Sequence, residues 1–443
     1  MSVILALAIH PIENKEEKNM SNRSLRKVTV WLAVALLLAA MVPSAVMAEG
    51  RTKVQVMSWW DITKSEPLKQ LEAGFEAANP DIDLEFPMIG SKYGDKITTV
   101  IAGGGDSVPD VIMLAMDLVP KFALTGSILP LDEYMTKEYK DSLYPLVLNA
   151  LTVDGKVYAA ARDVSPMAMY CNVALFKEAG IEIPTADWTV DDFLNIAQKL
   201  TRVDASGAPT QWGYYFAKYP DTMYDWIIAE GGRYVSTDGT TSLMSTPETK
   251  AGLQFMYDLI YKYKVCPTEA QHKQYGDGNS AAFLAGKVAM QIAALSNSSS
   301  LNSATPPIEY AVVPLPKKGG KQFTHAFVNT WAIPKGAKNP ELSWRVIEWL
   351  SGKGGQQIAL DYGMGLPASK EVDATAFLGK REDNKVFLDA LTYAVPFETY
   401  RYGAEFNVEL REQLDVLWLN ETTVDNAAAA IDEAAVSILS GDK

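Results

Sequence analysis

Trp59, Trp60 and Asp61 stand side by side directly after Lys53–Ser58, an apolar-alternating run that reads as a short strand. Two indoles beside a carboxylate are odd for a core, because neighbouring side chains at a strand end point in opposite directions and one ring then faces solvent. Asp117, Asp163 and Asn329 follow or sit within other apolar runs, with Trp331 close by. Tyr224 and Trp226 come after Asp221, ahead of the helix that leads to Gly231-Gly232, and Arg401 lies in a polar-aromatic loop between Tyr400 and Tyr402. Rings cover flat C–H faces, while carboxylates, amides and a guanidinium exchange charge-assisted hydrogen bonds with hydroxyls. Together these residue types suit recognition of a sugar.

Other chemistries lack their residues. The three histidines, His10, His272 and His325, show neither an HExxH nor a cysteine–histidine spacing, so no metal is expected. The acidic stretches VDASGAP and STDGT are too short for a calcium loop. Gly103–Gly105 follows a helix and lacks a Gly-Lys-Ser/Thr ending, so it reads as a tight turn and not a phosphate loop. No G-x-S-x-G elbow occurs. No catalytic residue and no cofactor is expected. The rival reading is a secreted glycoside hydrolase, for which Asp61, Asp117 and Asp163 would have to supply two carboxylates about 5–10 Å apart.

These residues need elements to hold them, and the chain has room for two α/β lobes. Within its 443 residues, Met20–Ala48 has the parts of a secretory signal, behind 19 residues whose polar, acidic IENKEEKN does not suit a leader. Arg23, Arg26 and Lys27 precede the apolar run Thr29–Val42, and Val46-Met47-Ala48 places small residues at a cleavage site, so the cut is expected after Ala48 and the true start at Met20. No cysteine follows the apolar run, so no lipid anchor is expected. The first 48 residues carry two net positive charges and the whole chain −14, so the remainder stands at −16, which argues against nucleic acid and anionic membrane surfaces. Cys171 and Cys266 could bridge after export or remain two separate buried thiols.

Glu66–Ala78 reads as an amphipathic helix, with Leu68, Leu71, Phe75 and Ala78 on one face. Ile82–Phe86 reads as a strand, Tyr93–Ala102 as a second helix, and Val111–Leu114 as a strand buried on both faces. Asp187–Thr201 is a helix capped by Thr189, with Asp191 and Asp192 in its first turn. Asp238-Gly239 marks a hairpin turn. Strands alternating with helices imply a doubly wound sheet, whose ligands lie beyond the carboxyl ends of the strands.

An ordered series of motifs carries a resemblance. FEAANPDI, then Y-x-x-K-I, IAGG and PDVI, then ILPLDEY at Ile128–Tyr134 open it. AAFLAGKVAMQI (Ala281–Ile292), AVVPLPKKGG (Ala311–Gly320), a late L-P-A turn and the closing helix Thr423–Leu439 complete it. In this order they resemble the family 1 extracellular solute-binding proteins, the group that includes maltose-binding protein and serves ABC importers. Ala161 and Cys171-Asn172 depart from that group's usual Pro and Tyr-Asn. Ser296 stands near the place of a tryptophan common in the group, leaving Trp226 or Trp331 to supply a stacking ring.

The resemblance implies an α/β, two-lobed periplasmic-binding-protein-like fold. Lobe one would be 49–161 plus 316–364 and lobe two 162–315 plus 365–443. Crossings near 162–165, 312–316 and 364–368 would form a hinge, with Gly363 and Gly365 suited to it. It implies a monomer that binds a carbohydrate by lobe closure outside the cytoplasmic membrane and meets the membrane permease subunits of an ABC importer. A polyamine or a sugar phosphate is the alternative solute. The former would need a more acidic cleft and the latter more Arg and Lys.

Overall fold

A computed structural model describes residues 50–90, 92–276 and 280–441. The expected leader and its cut after Ala48 lie outside the described residues. Lys53–Lys443 clusters as one unit, to which the following applies.

Ten strands form one sheet: β1 (Thr52–Met57), β2 (Ile82–Glu85), β3 (Val111–Leu114), β4 (Ala160–Asn172), β5 (Arg202–Val203), β6 (Pro209–Tyr215), β7 (Val288–Ala294), β8 (Tyr310–Val313), β9 (His325–Ala332) and β10 (Val395–Pro396). Their order is β2-β1-β3-β9-β4-β7-β6-β5, with β8 joined to β4 and β10 to β9. The doubly wound expectation holds only in part. β1 and β3 run parallel, as do β6 and β7, but β9 is antiparallel to both β3 and β4, and β7 is antiparallel to β4.

The thirteen-residue β4 is the common member. Its first half, Ala160–Pro166, pairs with β9, and its second half, Met167–Asn172, pairs with β7 and β8. All but one of its residues are buried: its Ala, Met, Val, Tyr and Cys side chains suit this, and the buried Arg162 and Asp163 pair with each other.

Helices cover the sheet where the local signals are strongest. Ser65 accepts from the Leu68 N–H to start α1 (Glu66–Ala78), and Pro67 sits in its first turn. Leu68, Leu71 and Phe75 are buried, whereas Ala78 is exposed at the last turn. α2 is Tyr93–Gly103 and α3 is Val119–Leu124. Thr189 and Asp192 form a capping box at α4 (Val190–Leu200). α5 (Pro220–Ala229) and α6 (Glu269–Lys273) follow β6. α7 (Pro340–Ser351) and α8 (Lys353–Asp361) pack near α1, and Gly74 allows a close approach, since a Cβ there would meet Ile358 Cδ1 at 2.7 Å. α9 (Gly403–Trp418) and α10 (Val424–Ser440) close the chain. Cys171 and Cys266 are both buried free thiols. Among the described residues no helix is long and apolar enough to cross a membrane.

Candidate functional site

Two parallel strand pairs set the site. β1 and β3 end on one edge of the sheet, delivering Ser58–Asp61 and Ala115–Asp117. β6 and β7 likewise end together, delivering Phe216–Thr222 and Leu295–Ser300. The central strand β4 runs between the two groups.

A bulge in β4 builds the first cluster. Asn329 pairs with Asp163 and the next β9 residue, Thr330, pairs with Ala161, which leaves Arg162 without an opposite number. In a regular strand Arg162 and Asp163 would point to opposite faces, and the extra residue re-aims them. Arg162 Nε then donates to Asp163 Oδ2 at 2.5 Å, and Asn329 Nδ2 donates to Asp163 Oδ1 at 2.8 Å. The guanidinium lies 4.5 Å from the Trp60 ring centre and 5.2 Å from that of Trp59. The two indoles meet edge to face at 6.3 Å, and Tyr93 meets Trp59 in the same way at 5.3 Å. Both indoles are half-buried, each packed on one side and open to solvent in part. Arg162, whose role the sequence left open between orienting Asp163 and a surface charge, is 3 % exposed and does the former.

The second cluster is a cavity of about 360 Å³ beyond the ends of β6 and β7. Gln291 Nε2 donates to Ser280 Oγ at 2.9 Å, and Ser280 Oγ donates to Asn297 Oδ1 at 2.7 Å. Asn297 Nδ2 has no partner among the described residues, so an amide donor is left over at the cavity wall. Asp221, in the first turn of α5, and Ser296 also line it. Asp117 is the middle residue of a short turn, Met116–Leu118, after β3. Burial first, and then the nearby Asp221 carboxylate, push its acid above the usual range, against the pull of its own and Leu118's N–H groups. Two carboxylates from different strand ends therefore come within electrostatic reach.

The structure gathers Trp59, Trp60, Asp163 and Asn329 around Arg162, and sets Asp117 facing Asp221. Asp61 sits beside this group, but its Oδ1 accepts from Thr63 N at 3.0 Å and Thr63 Oγ1 at 2.6 Å, and these bonds hold its carboxyl below the usual range. Arg401 is exposed, with its guanidinium 5.2 Å from the Tyr402 ring.

Three expected site rings are corrected. Tyr224 and Trp226 do not precede the helix but lie inside α5, on its buried face. Trp226 is 1 % exposed, ringed by Phe193, Phe255 and Phe323, and its Nε1 donates to Tyr214 Oη at 2.8 Å. Tyr224 donates to the buried Glu398 at 2.9 Å. Trp331 is fully buried because β9 is flanked by β3 and β4, and Phe86 packs against it at 6.5 Å. None of the three can replace a stacking ring at Ser296. Gln291, Ser280 and Asn297 escaped the sequence reading. A lone glutamine within the apolar run of β7 was the available signal.

Residues 59–357 match the bacterial extracellular solute-binding protein family. A binding protein of Brucella abortus is 27% identical over 338 residues, covering 74% of this chain and 77% of its own. The maltotriose-binding protein of Pyrococcus abyssi is 24% identical over 329 residues, covering 72% and 67%. Among solved structures, the ABC substrate-binding protein of Listeria monocytogenes in complex with cycloalternan superposes with a TM-score of 0.74 at 22% identity, covering 87% of this chain and 98% of its own. That likeness shows a shared mixed α/β fold, and the family match covers well over half of the chain, including the bulged strand β4 and the parallel pair β6 and β7. The chain therefore belongs to the bacterial extracellular solute-binding protein family and is a binding protein, not an enzyme.

Proposed function

We propose that this protein captures a sugar or short oligosaccharide between two lobes and presents it, as a monomer, to the permease subunits of an ABC importer. The carrying observation is the Trp59–Trp60 pair, half-open and clamped by Arg162, together with the Asp117–Asp221 carboxylates brought within electrostatic reach and the unpartnered Asn297 amide. Rings for C–H faces beside acceptors and a donor for hydroxyls are the parts a sugar needs. The names of relatives agree in class, since they include maltotriose- and arabinooligosaccharide-binding proteins. A sugar phosphate is disfavoured because Arg162 is committed to Asp163.

The lobes are 49–161 plus 316–364 and 162–315 plus 365–443. The division of β4 between β9 on one side and β7 and β8 on the other supports this. So does the backbone bridge between Val164 and Leu366, which ties two of the crossings together. Cleavage after Ala48 accompanies export.

Calorimetric titration of the mature protein with a panel of neutral mono- and oligosaccharides tests the reading. Saturable binding of one sugar, weakened about tenfold in Trp59→Ala or Trp60→Ala, is the expected result. A panel that yields no binder, while a polyamine binds, overturns it. Candidate oligosaccharides stay intact on long incubation, and turnover lost in Asp117→Asn would move the assignment to a hydrolase.

A further inference from the structure

A second cavity, of about 340 Å³, lies between α6, the end of β6 and the last turns of α9. It shares only Tyr215 with the cavity described above. Lys218 lines it and is 6 % exposed. Its ammonium donates to the Phe216 and Pro267 carbonyls, both at 3.2 Å, and lies 4.6 Å from the Tyr215 ring centre and 4.8 Å from that of Phe216. No carboxylate pairs with it among the described residues. A buried cation whose hydrogen bonds go only to neutral carbonyls is costly to keep charged, and burial does lower its pKa, with the more distant Glu269 opposing.

Two further buried groups on the same wall are left without partners. Trp418 Nε1 and His272 Nε2 have none among the described residues, at 4 % and 3 % exposure. Lysine, arginine and the indole N–H are donors only, and a neutral imidazole donates from Nε2 in one tautomer. What enters must therefore accept hydrogen bonds. Arg411 adds a second cation, 4.6 Å from the Tyr219 ring centre. Lys273 and Glu269 approach at 3.9 Å and offset each other, and Asp415 stands exposed on α9. Lys218, Lys273 and Arg411 against Glu269 and Asp415 leave one net positive charge, which suits one negative charge and not two. The lining also has a flat face, because His272 stacks on Tyr215 at 3.8 Å with the planes 1° apart.

We propose that this cavity is a second ligand site, separate from the sugar site, that takes a small carboxylate-bearing solute with a flat apolar body. The carboxylate completes the donors of Lys218 and Arg411 and takes up the spare N–H groups of Trp418 and His272. The body lies along the Tyr215–His272 stack.

The test is a nuclear magnetic resonance titration of the untagged protein with benzoate, without sugar. Only three histidines exist in the sequence, so the ring signals of His272 and His325 are separable. Benzoate is expected to move the His272 signal saturably and leave His325 in place. Benzyl alcohol, which lacks the charge, is expected to move neither. Lys218→Met should weaken benzoate binding by about tenfold or more, the usual effect of losing a charged hydrogen bond. Arg411→Gln, an exposed change that leaves the fold intact, should weaken it several-fold and keeps the proposal testable if Lys218→Met does not fold. An absent or unsaturable shift, an equal shift with benzyl alcohol, or unchanged affinity in Arg411→Gln overturns the site. Inorganic phosphate binding as well as benzoate overturns the carboxylate preference. A protein that takes benzoate but no sugar would lose the sugar reading alone.

Discussion

Gly365 and Asp163 are packed so closely that a Cβ on residue 365 would stand 2.7 Å from the Cβ of Asp163 and 2.8 Å from its Cγ and Oδ1. Asp163 cannot retreat without loosening its bonds to Arg162 and Asn329. Gly365→Ala should destabilise the protein by about 1–3 kcal/mol, the usual effect of overfilling a packed site. Gly379 is the control, as it lies in the exposed helix Thr375–Lys380 with open space around it. Gly379→Ala should be neutral or stabilise by roughly 0.5–1 kcal/mol. Urea unfolding of both variants separates the two outcomes, and equal midpoints would show that the contact carries no weight.

Arg162 joins the indole pair to that carboxylate. Removing one partner of a buried ion pair leaves the other charged and dehydrated, at a cost of about 3–5 kcal/mol. Arg162→Met should approach this value, since among the described residues Asn329 would be left as the side-chain donor to Asp163. Arg162→Lys keeps a charge but loses the planar group that lies over Trp59 and Trp60, so it should recover only part of the stability. Near-ultraviolet circular dichroism should change in both variants as the edge-to-face pair relaxes. An unchanged spectrum in Arg162→Met would disprove the clamp.

Much of this arrangement was legible in the residues. Glu66–Ala78 carries its own cap and period, Thr189 and Asp192 their capping box, and Val111–Leu114 the unbroken apolar run of a central strand. Local chemistry decides such segments, so local reading finds them. The bulge at Arg162 was not legible, because it depends on how β4 and β9 align over a long sequence separation. Trp226 and Trp331 were misread for a related reason. Each looks like a site ring by type and place, yet each is enclosed by rings distant in the chain, such as Phe255 and Phe86.

Those enclosed rings give a contrast between stability and binding. Trp226→Ala and Trp331→Ala should each cost about 3–5 kcal/mol, as large core truncations do. Trp59→Ala and Trp60→Ala remove half-buried rings and should cost clearly less in stability, with their main effect on ligand affinity. Melting temperatures of the four variants, measured without ligand, check the ranking. A Trp60→Ala variant less stable than Trp331→Ala would reverse the assignment of core and site.

His272 should make stability depend on pH in a defined window. Burial first, then the neighbouring Lys218 charge, lower its pKa to about 4 from an ordinary value of 6.5, with Glu269 opposing. Between these two values the unfolded chain binds a proton that the folded protein refuses. The unfolding free energy therefore falls as pH drops from 6.5 to about 4, levels off below, and has its full value above 6.5. The carboxylates held low by hydrogen bonds, such as Asp61 and Asp192, also reduce stability in acid, but equally in any variant that leaves them alone. His272→Phe keeps a ring to stack on Tyr215 and removes the proton site. Its stability relative to the natural protein should be constant above pH 6.5 and should rise steadily from there to pH 4. Denaturant midpoints taken across that range decide the matter, since parallel curves would mean that His272 accepts its proton in the folded state as readily as in the unfolded one.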